Sequence, residues 1–197
     1  MKRLILSMII ALLALAGPAS AADSWAIDKA HSDVTFTVRH LISKVTGRFG
    51  SFDATITTDF ENMDGSSVKF TIDASSIDTA NGDRDKHLRS ADFFDVEKFP
   101  EITFQSSKIT KIDGDSYAVV GSLTMHGVSK EITLTVDFLG EMTAMGGTRA
   151  GYELTTTLNR KDFEVSWNRA LDAGGFVLGD DVEINIDLEV IKQEKAE

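Results

Sequence analysis

Apolar and polar residues alternate along most of this chain with a period of two. Val34, Phe36 and Val38 alternate with Thr35, Thr37 and Arg39, and Phe52, Ala54 and Ile56 with Asp53, Thr55 and Thr57. Val68, Phe70 and Ile72 alternate with Lys69, Thr71 and Asp73, and Ile102 and Phe104 follow Pro100. The stretch from Tyr117 to Met125 is apolar on both faces at its centre. Ile132, Leu134, Val136 and Phe138 then alternate with Thr133, Thr135 and Asp137. Leu154 and Leu158 sit in a Thr-rich stretch, and Val182, Ile184, Ile186, Leu188 and Val190 alternate with Glu183, Asn185, Asp187 and Glu189. Successive side chains of a strand point to opposite faces, so the pattern predicts strands with one dry and one wet face, as in antiparallel sheet. Asp64-Gly65, Asp113-Gly114, His126-Gly127, Gly146-Gly147 and Gly174-Gly175 supply turns between them. The spacing predicts eight or more such strands in one sheet, which must close into a barrel or fold into a sandwich to hide its edges.

Two segments depart from this pattern. Lys2 and Arg3 precede an apolar run over residues 4–16, Gly17-Pro18 breaks it, and Ala19-Ser20-Ala21 offers a small-x-small cleavage site. That is the layout of a secretory signal. The run falls short of the ~20 apolar residues that span a bilayer. Residues 1–21 are therefore expected to be removed, leaving 22–197 as one domain without a stable membrane anchor, in the periplasm or secreted. The second departure runs from Asn81 to Ser90, with few β-branched residues and Asp83 able to cap a helix. Leu88 and Ala91 are its only apolar pair at helical spacing. It leads into Phe93-Phe94 and Phe99-Pro100 and reads either as a plug for one end of the sheet or as a lid whose aromatics line a cavity. Arg84 and Asp85 are adjacent, so they leave the helix in different directions and are expected to tie it to different neighbours.

Charge and composition narrow the chemistry. The 197 residues carry 20 Lys+Arg and 31 Asp+Glu, a net charge of −11, with no cationic cluster. This argues against nucleic acid and against docking on an anionic membrane. With no Cys there is no disulfide, thiolate metal site or lipid anchor. His31, His40, His87 and His126 show no i, i+4 pair, and the chain lacks a nucleophile elbow, a phosphate loop and a dinucleotide fingerprint. No catalytic residue, metal or cofactor is predicted, and the many carboxylates fall on polar strand faces. Phe36, Phe52, Phe70 and Phe104 fall on apolar phases. An eight-stranded barrel interior is wide enough either to fill with such side chains or to hold one small ligand, and the alternation leaves both open.

Several motifs carry a resemblance. Trp25-Ala26-Ile27-Asp28-Lys29-Ala30-His31-Ser32, then Val34-x-Phe36-x-Val38-x-His40 and Gly47-Arg48-Phe49-x-x-Phe52, resemble the opening of the YceI-like family. Ser76-Ile77-Asp78-Thr79-x-Asn81-x-x-Arg84-Asp85-x-His87-Leu88-x-Ser90-x-Asp92-Phe93-Phe94-Asp95 is the most family-specific stretch. Phe99-Pro100-x-Ile102-x-Phe104-x-Ser106, Gly121-x-Leu123-Thr124-x-His126-Gly127 and Asn159-Arg160-x-Asp162-Phe163 follow in order. One departure is Glu164, where the family usually has Gly, so the local turn is expected to differ.

The resemblance implies an all-β, extended antiparallel, lipocalin-like barrel of eight strands with a short surface helix and a long apolar pore. It implies a long-chain isoprenoid or similar amphiphile as ligand and no catalysis. The predicted function is a periplasmic or secreted carrier; the alternative is an enzyme or redox protein acting on a bound isoprenoid quinone. Nothing in the chain forbids a homodimer. From the strand phases, Phe36, Val38, Phe52, Phe70, Ile102, Phe104, Leu134, Val136, Ile184 and Ile186 are expected to face the pore. His40 continues the phase of Phe36 and Val38 and is the first choice for contacting a polar head group, ahead of Arg160 and Asp162.

Overall fold

The structure is a computed structural model and describes residues 22–58, 65–172 and 174–194. The expected signal segment and Asp64 of one predicted turn lie outside the described residues. The strands are β1 (Asp23–Ile27), β2 (Asp33–His40), β3 (Ser43–Phe49), β4 (Phe52–Thr58), β5 (Ser67–Asp73), β6 (Ile77–Asp78), β7 (Glu101–Asp113), β8 (Ser116–Met125), β9 (Val128–Ala144), β10 (Gly147–Asn159) and β11 (Leu178–Lys192). Among the described residues one α-helix, α1 (Gly82–Arg89), interrupts them.

The sheet closes as a barrel rather than a sandwich. Strands β1, β4, β5, β7, β8, β9, β10 and β11 pair antiparallel in that order, and β11 returns to β1. Strand β11 is long enough to serve two partners. Its Val190–Lys192 stretch pairs with Trp25–Ile27, while Leu178–Asp187 pairs with Asp33–His40. Strands β1 and β2 thus lie end to end along one edge, and the β2–β3 hairpin extends the sheet past the closure. Register follows the dry phase: Val34, Phe36 and Val38 face Ile186, Ile184 and Val182, and Phe70 and Ile72 face Phe104 and Ile102. A one-residue slip would turn each of these rows to water.

Strands β1 and β3 escape the alternation. Strand β3 reads Ser-Lys-Val-Thr-Gly-Arg-Phe, and its Gly47 is there for contact: a Cβ would meet the Phe36 ring at 2.5 Å.

The barrel has two distinct ends. The β7–β8 and β9–β10 turns, the start of β1 and the end of β4 form the hairpin end. Helix α1, residues 90–100 and the 3-10 turn Arg160–Phe163 form the helix end. The helix is capped by Asn81, whose side chain accepts from the Arg84 N–H at 3.0 Å, and not by Asp83, which sits in the first turn. Arg84 and Asp85 do not reach different neighbours; both converge on Thr79. Arg84 donates to the Thr79 hydroxyl and carbonyl, each at 2.7 Å. The buried Asp85 accepts from the Thr79 N–H at 2.9 Å and from its hydroxyl. One short polar residue between the two charges makes this possible, because its hydroxyl both accepts and donates. Arg89 adds bonds to the carbonyls of Ser75 and Ile77, both at 2.6 Å.

Candidate functional site

The barrel encloses a cavity of about 280 Å³. It is long and narrow: Leu178 and Leu188, both on its wall, are ten residues apart on β11. That is roughly 33 Å of strand at ~3.3 Å per residue, or about 25 Å along the axis at a tilt near 40°. Of the predicted inward set, Phe36, Val38, Phe70, Ile102, Phe104, Leu134, Val136, Ile184 and Ile186 line it.

Two predicted residues do not. Phe52 is buried, but its ring stacks on Phe70 at 5.9 Å and sits in packed core. His40 is half-buried at the tip of the β2–β3 hairpin, past the last β2 wall residue, Val38. There β11 advances four residues, from Val182 to Leu178, while β2 advances two, so the hairpin tip leaves the regular register. The second choices fare differently from one another. Asp162 is exposed and pairs with Lys130 at 3.3 Å. Arg160 does reach the wall, at 5% exposure. Its guanidinium is already committed to the carbonyls of Gly179 (2.9 Å), Val165 (2.6 Å) and Trp167 (2.9 Å) and to Asp180 (3.1 Å). Burial lowers its pKa against the opposing pull of Asp180. Arg160 is a clamp on the returning loop.

Beside it, Glu164 adopts φ 60°, ψ 11°, the left-handed conformation, and its N–H bonds back into the 3-10 turn. The turn that a glycine would make is therefore kept, contrary to the expectation of a different one, with a side chain strained into it.

The helix end supplies a floor. Leu88, Phe93 and Phe94 line the cavity, and Phe94 meets Phe49 edge-on at 5.9 Å. The segment closes this end of the barrel, and its aromatics line the cavity. Behind it His87 lies edge-on between Phe93 and Trp167, each at 5.0 Å, with Nε2 2.8 Å from Asp92.

The hairpin end contributes what the sequence reading missed: the chain's two tyrosines, Tyr117 and Tyr152, both on the wall. The Tyr152 hydroxyl is buried and has no hydrogen-bond partner among the described residues. Burial, with Tyr117 and Glu141 nearby, pushes its pKa up to about 12. The signal was present in the strand phase, since Tyr117 and Tyr152 stand two residues before the inward Val119 and Leu154.

A further titratable cluster lies on the outer face. Asp28, His31 and Glu189 come together, but Arg149 occupies them, donating to Asp28 at 2.7 Å and to Glu189. Hydrogen bonds from Arg149 and His31 hold the Asp28 carboxyl down at about 2. The cluster fastens the 28–32 loop to β10 and β11, where the closure changes partner.

Comparison with known proteins gives a consistent result. The YceI-like domain family matches residues 25–190. A UPF0312 protein of Pseudomonas paraeruginosa is 41% identical over 182 residues, covering 90% of this chain and 91% of its own. Burkholderia cenocepacia BcnA superposes with a TM-score of 0.72 at 26% identity, covering 83% of this chain and 98% of its own. A polyisoprenoid binding domain from Saccharophagus degradans, implicated in plant cell wall breakdown, shares the fold at TM-score 0.65 and 16% identity. It covers 86% of this chain and 98% of its own.

Proposed function

The chain belongs to the YceI-like domain family, and on that premise we propose that it is a non-catalytic carrier enclosing the tail of a polyisoprenoid-type amphiphile. The observation that carries this reading is the long, apolar-walled cavity running from the α1 lid to the hairpin end. A prenyl tail is nearly insoluble, so moving it through water requires a dry enclosure. Burying about five carbons per isoprene unit contributes on the order of 4 kcal/mol gross, at ~0.8 kcal/mol per carbon. Ordering the chain and the loss of free tumbling offset much of this, so several units are needed for tight binding. The relative from Saccharophagus degradans, described as polyisoprenoid binding, supports the same ligand class. In this reading the carrier works in the periplasm or outside the cell, which the signal-like layout of residues 1–21 supports, with Ala22 as its first residue.

The test is organic extraction and mass spectrometry of the purified protein, followed by titration with prenyl compounds. A co-purifying prenyl chain, or saturable binding of an added one, is the expected result. A protein that carries no lipid and binds none of these compounds overturns the proposal. Amino-terminal sequencing of the exported protein checks the cleavage point.

A further inference from the structure

We infer that the polar end of the bound amphiphile is uncharged and lies at the hairpin end, where the Tyr152 hydroxyl donates a hydrogen bond to its oxygen. The inference rests on the carrier reading and deepens it, by fixing the ligand's direction and the class of its head group.

Three observations converge. First, the Tyr152 hydroxyl is buried without a partner among the described residues, on a side chain that lines the cavity. An orphaned buried hydroxyl loses hydration without replacement, and a ligand oxygen restores the missing bond. Second, among the described residues the cavity wall at the helix end offers no comparable free donor; His126, between β8 and β9, has a buried Nδ1 without a partner but packs on Phe99 and does not line the cavity. Arg160, the cationic residue on the wall, is spent on three carbonyls and Asp180. His87 is bracketed by Phe93 and Trp167 and bonded to Asp92. Third, among the described residues no lysine or arginine lines the wall near Tyr117 and Tyr152; the nearby charges are of opposite sign, Lys111 over the Tyr117 ring at 5.7 Å and Glu141 beside Tyr152. A buried phosphate or diphosphate there would have at most this one lysine, set against Glu141, for its several charges, and desolvating an under-compensated anion is costly. A quinone carbonyl or an alcohol oxygen needs only a neutral donor. Tyr152 is one throughout the physiological range, because its burial holds the proton on.

The experiment uses the purified chain and probes of one tail length: a prenyl quinone, the prenyl alcohol, the prenyl diphosphate and the corresponding hydrocarbon. The quinone and the alcohol are expected to bind at least about tenfold more tightly than the diphosphate. Tyr152→Phe, which removes one oxygen, is expected to weaken both about 5- to 20-fold. The hydrocarbon should change less than about twofold, because it has no oxygen to bond. Equal losses for all probes, no loss for any, or diphosphate binding as tight as the alcohol overturns the inference while leaving the carrier reading standing. Failure of every probe, the hydrocarbon included, removes the carrier reading itself.

Direction is read separately, from quinone quenching of the two tryptophans. Trp25 packs in the cluster that Tyr152 joins, and Trp167 sits at the helix end against Phe93. In Trp167→Phe the remaining emission is that of Trp25, and a larger fraction of it should be quenched than in the parent protein. A smaller fraction places the head at the helix end and refutes the assignment.

Discussion

At the helix end of the barrel, buried charged groups are held in matched clusters; on the cavity wall at the hairpin end, apolar surface is buried and the Tyr152 hydroxyl has no hydrogen-bond partner among the described residues. The helix end holds Arg84 and Asp85 on Thr79, Arg89 on two carbonyls, and Arg160 on three carbonyls and a carboxylate. The hairpin end holds Trp25, Ile56, Ala150 and Val190 in a compact cluster, with Phe138 and Tyr152 against it. Directional bonds specify one arrangement and fail together when a member is removed. Apolar contacts scale with area and tolerate small changes of shape. The difference fits a carrier whose lid must keep its shape while its other end meets a ligand's polar terminus.

Removing a charged member at the helix end is therefore the largest test of this contrast. Arg160→Ala strands the carbonyls of Val165, Trp167 and Gly179 and frees Asp180 from its buried partner. A loss of about 3–5 kcal/mol is expected in urea denaturation. Arg160→Lys should recover little, because an ammonium cannot reproduce the planar fork that serves four acceptors at once. A loss below about 1 kcal/mol would show that the loop holds itself and that the guanidinium is dispensable.

Asp85→Ala comes next. It leaves the Thr79 N–H and hydroxyl without their acceptor and Arg84 without the group that orients Thr79. A cost of about 1–3 kcal/mol is expected. The comparison with Arg84→Ala sharpens the point. If the cluster is a structural clamp, both variants lose melting temperature at least as much as they lose prenyl affinity. Unchanged melting with lost binding would make the cluster a head-group contact and move the ligand's polar end to α1.

How far these features were legible in the sequence depends on the period of the signal that carries them. Strands β2, β4, β5 and β7 to β11 follow from alternation, because a half-buried strand must obey it. Strand β1 is too short to display a period, and β3 is interrupted by Gly47, placed there for the Phe36 ring. The inward row was readable until register broke: Val38 lines the cavity and His40 does not, since two extra residues on β11 intervene. A polar pattern has no period at all. That Arg84 and Asp85 share Thr79 is a fact of chain path, and so is the filling of Arg160. Tyr117 and Tyr152 were readable by phase, but a search for charged or imidazole donors passes over a neutral phenol.

Glu164 shows a fold requirement surviving a substitution. The family resemblance puts Gly at this position, and the backbone here still turns left-handed, at φ 60°. An L-residue pays roughly 1–2 kcal/mol for that conformation, partly recovered because Gly loses more freedom on folding. Glu164→Gly is therefore expected to stabilise the chain by about 0.5–1 kcal/mol, seen as a raised urea midpoint with unchanged slope. Destabilisation would mean that the glutamate side chain holds the helix end by a contact beyond its backbone.

The smallest expected effect on stability belongs to Tyr152→Phe, and it separates the two ends most cleanly. Deleting a polar group at the helix end breaks a matched set. Here the deleted hydroxyl has no partner among the described residues to strand, while the ring keeps its packing, 5.5 Å from Phe138. Removing an unsatisfied buried group can be neutral or favourable, because its desolvation cost disappears with it. The ligand-free variant should therefore lie within about 0.5 kcal/mol of the parent, or slightly above it. Adding an oxygen-headed prenyl ligand reverses the order: ligand that binds the folded state stabilises it in proportion to ln(1 + [L]/Kd), and the parent binds more tightly. Parallel urea curves with and without ligand thus read both halves of the contrast in one measurement. A loss of more than about 1 kcal/mol in the ligand-free variant would mean that Tyr152 is already satisfied within the protein, and the hairpin end would then be matched in the same way as the helix end.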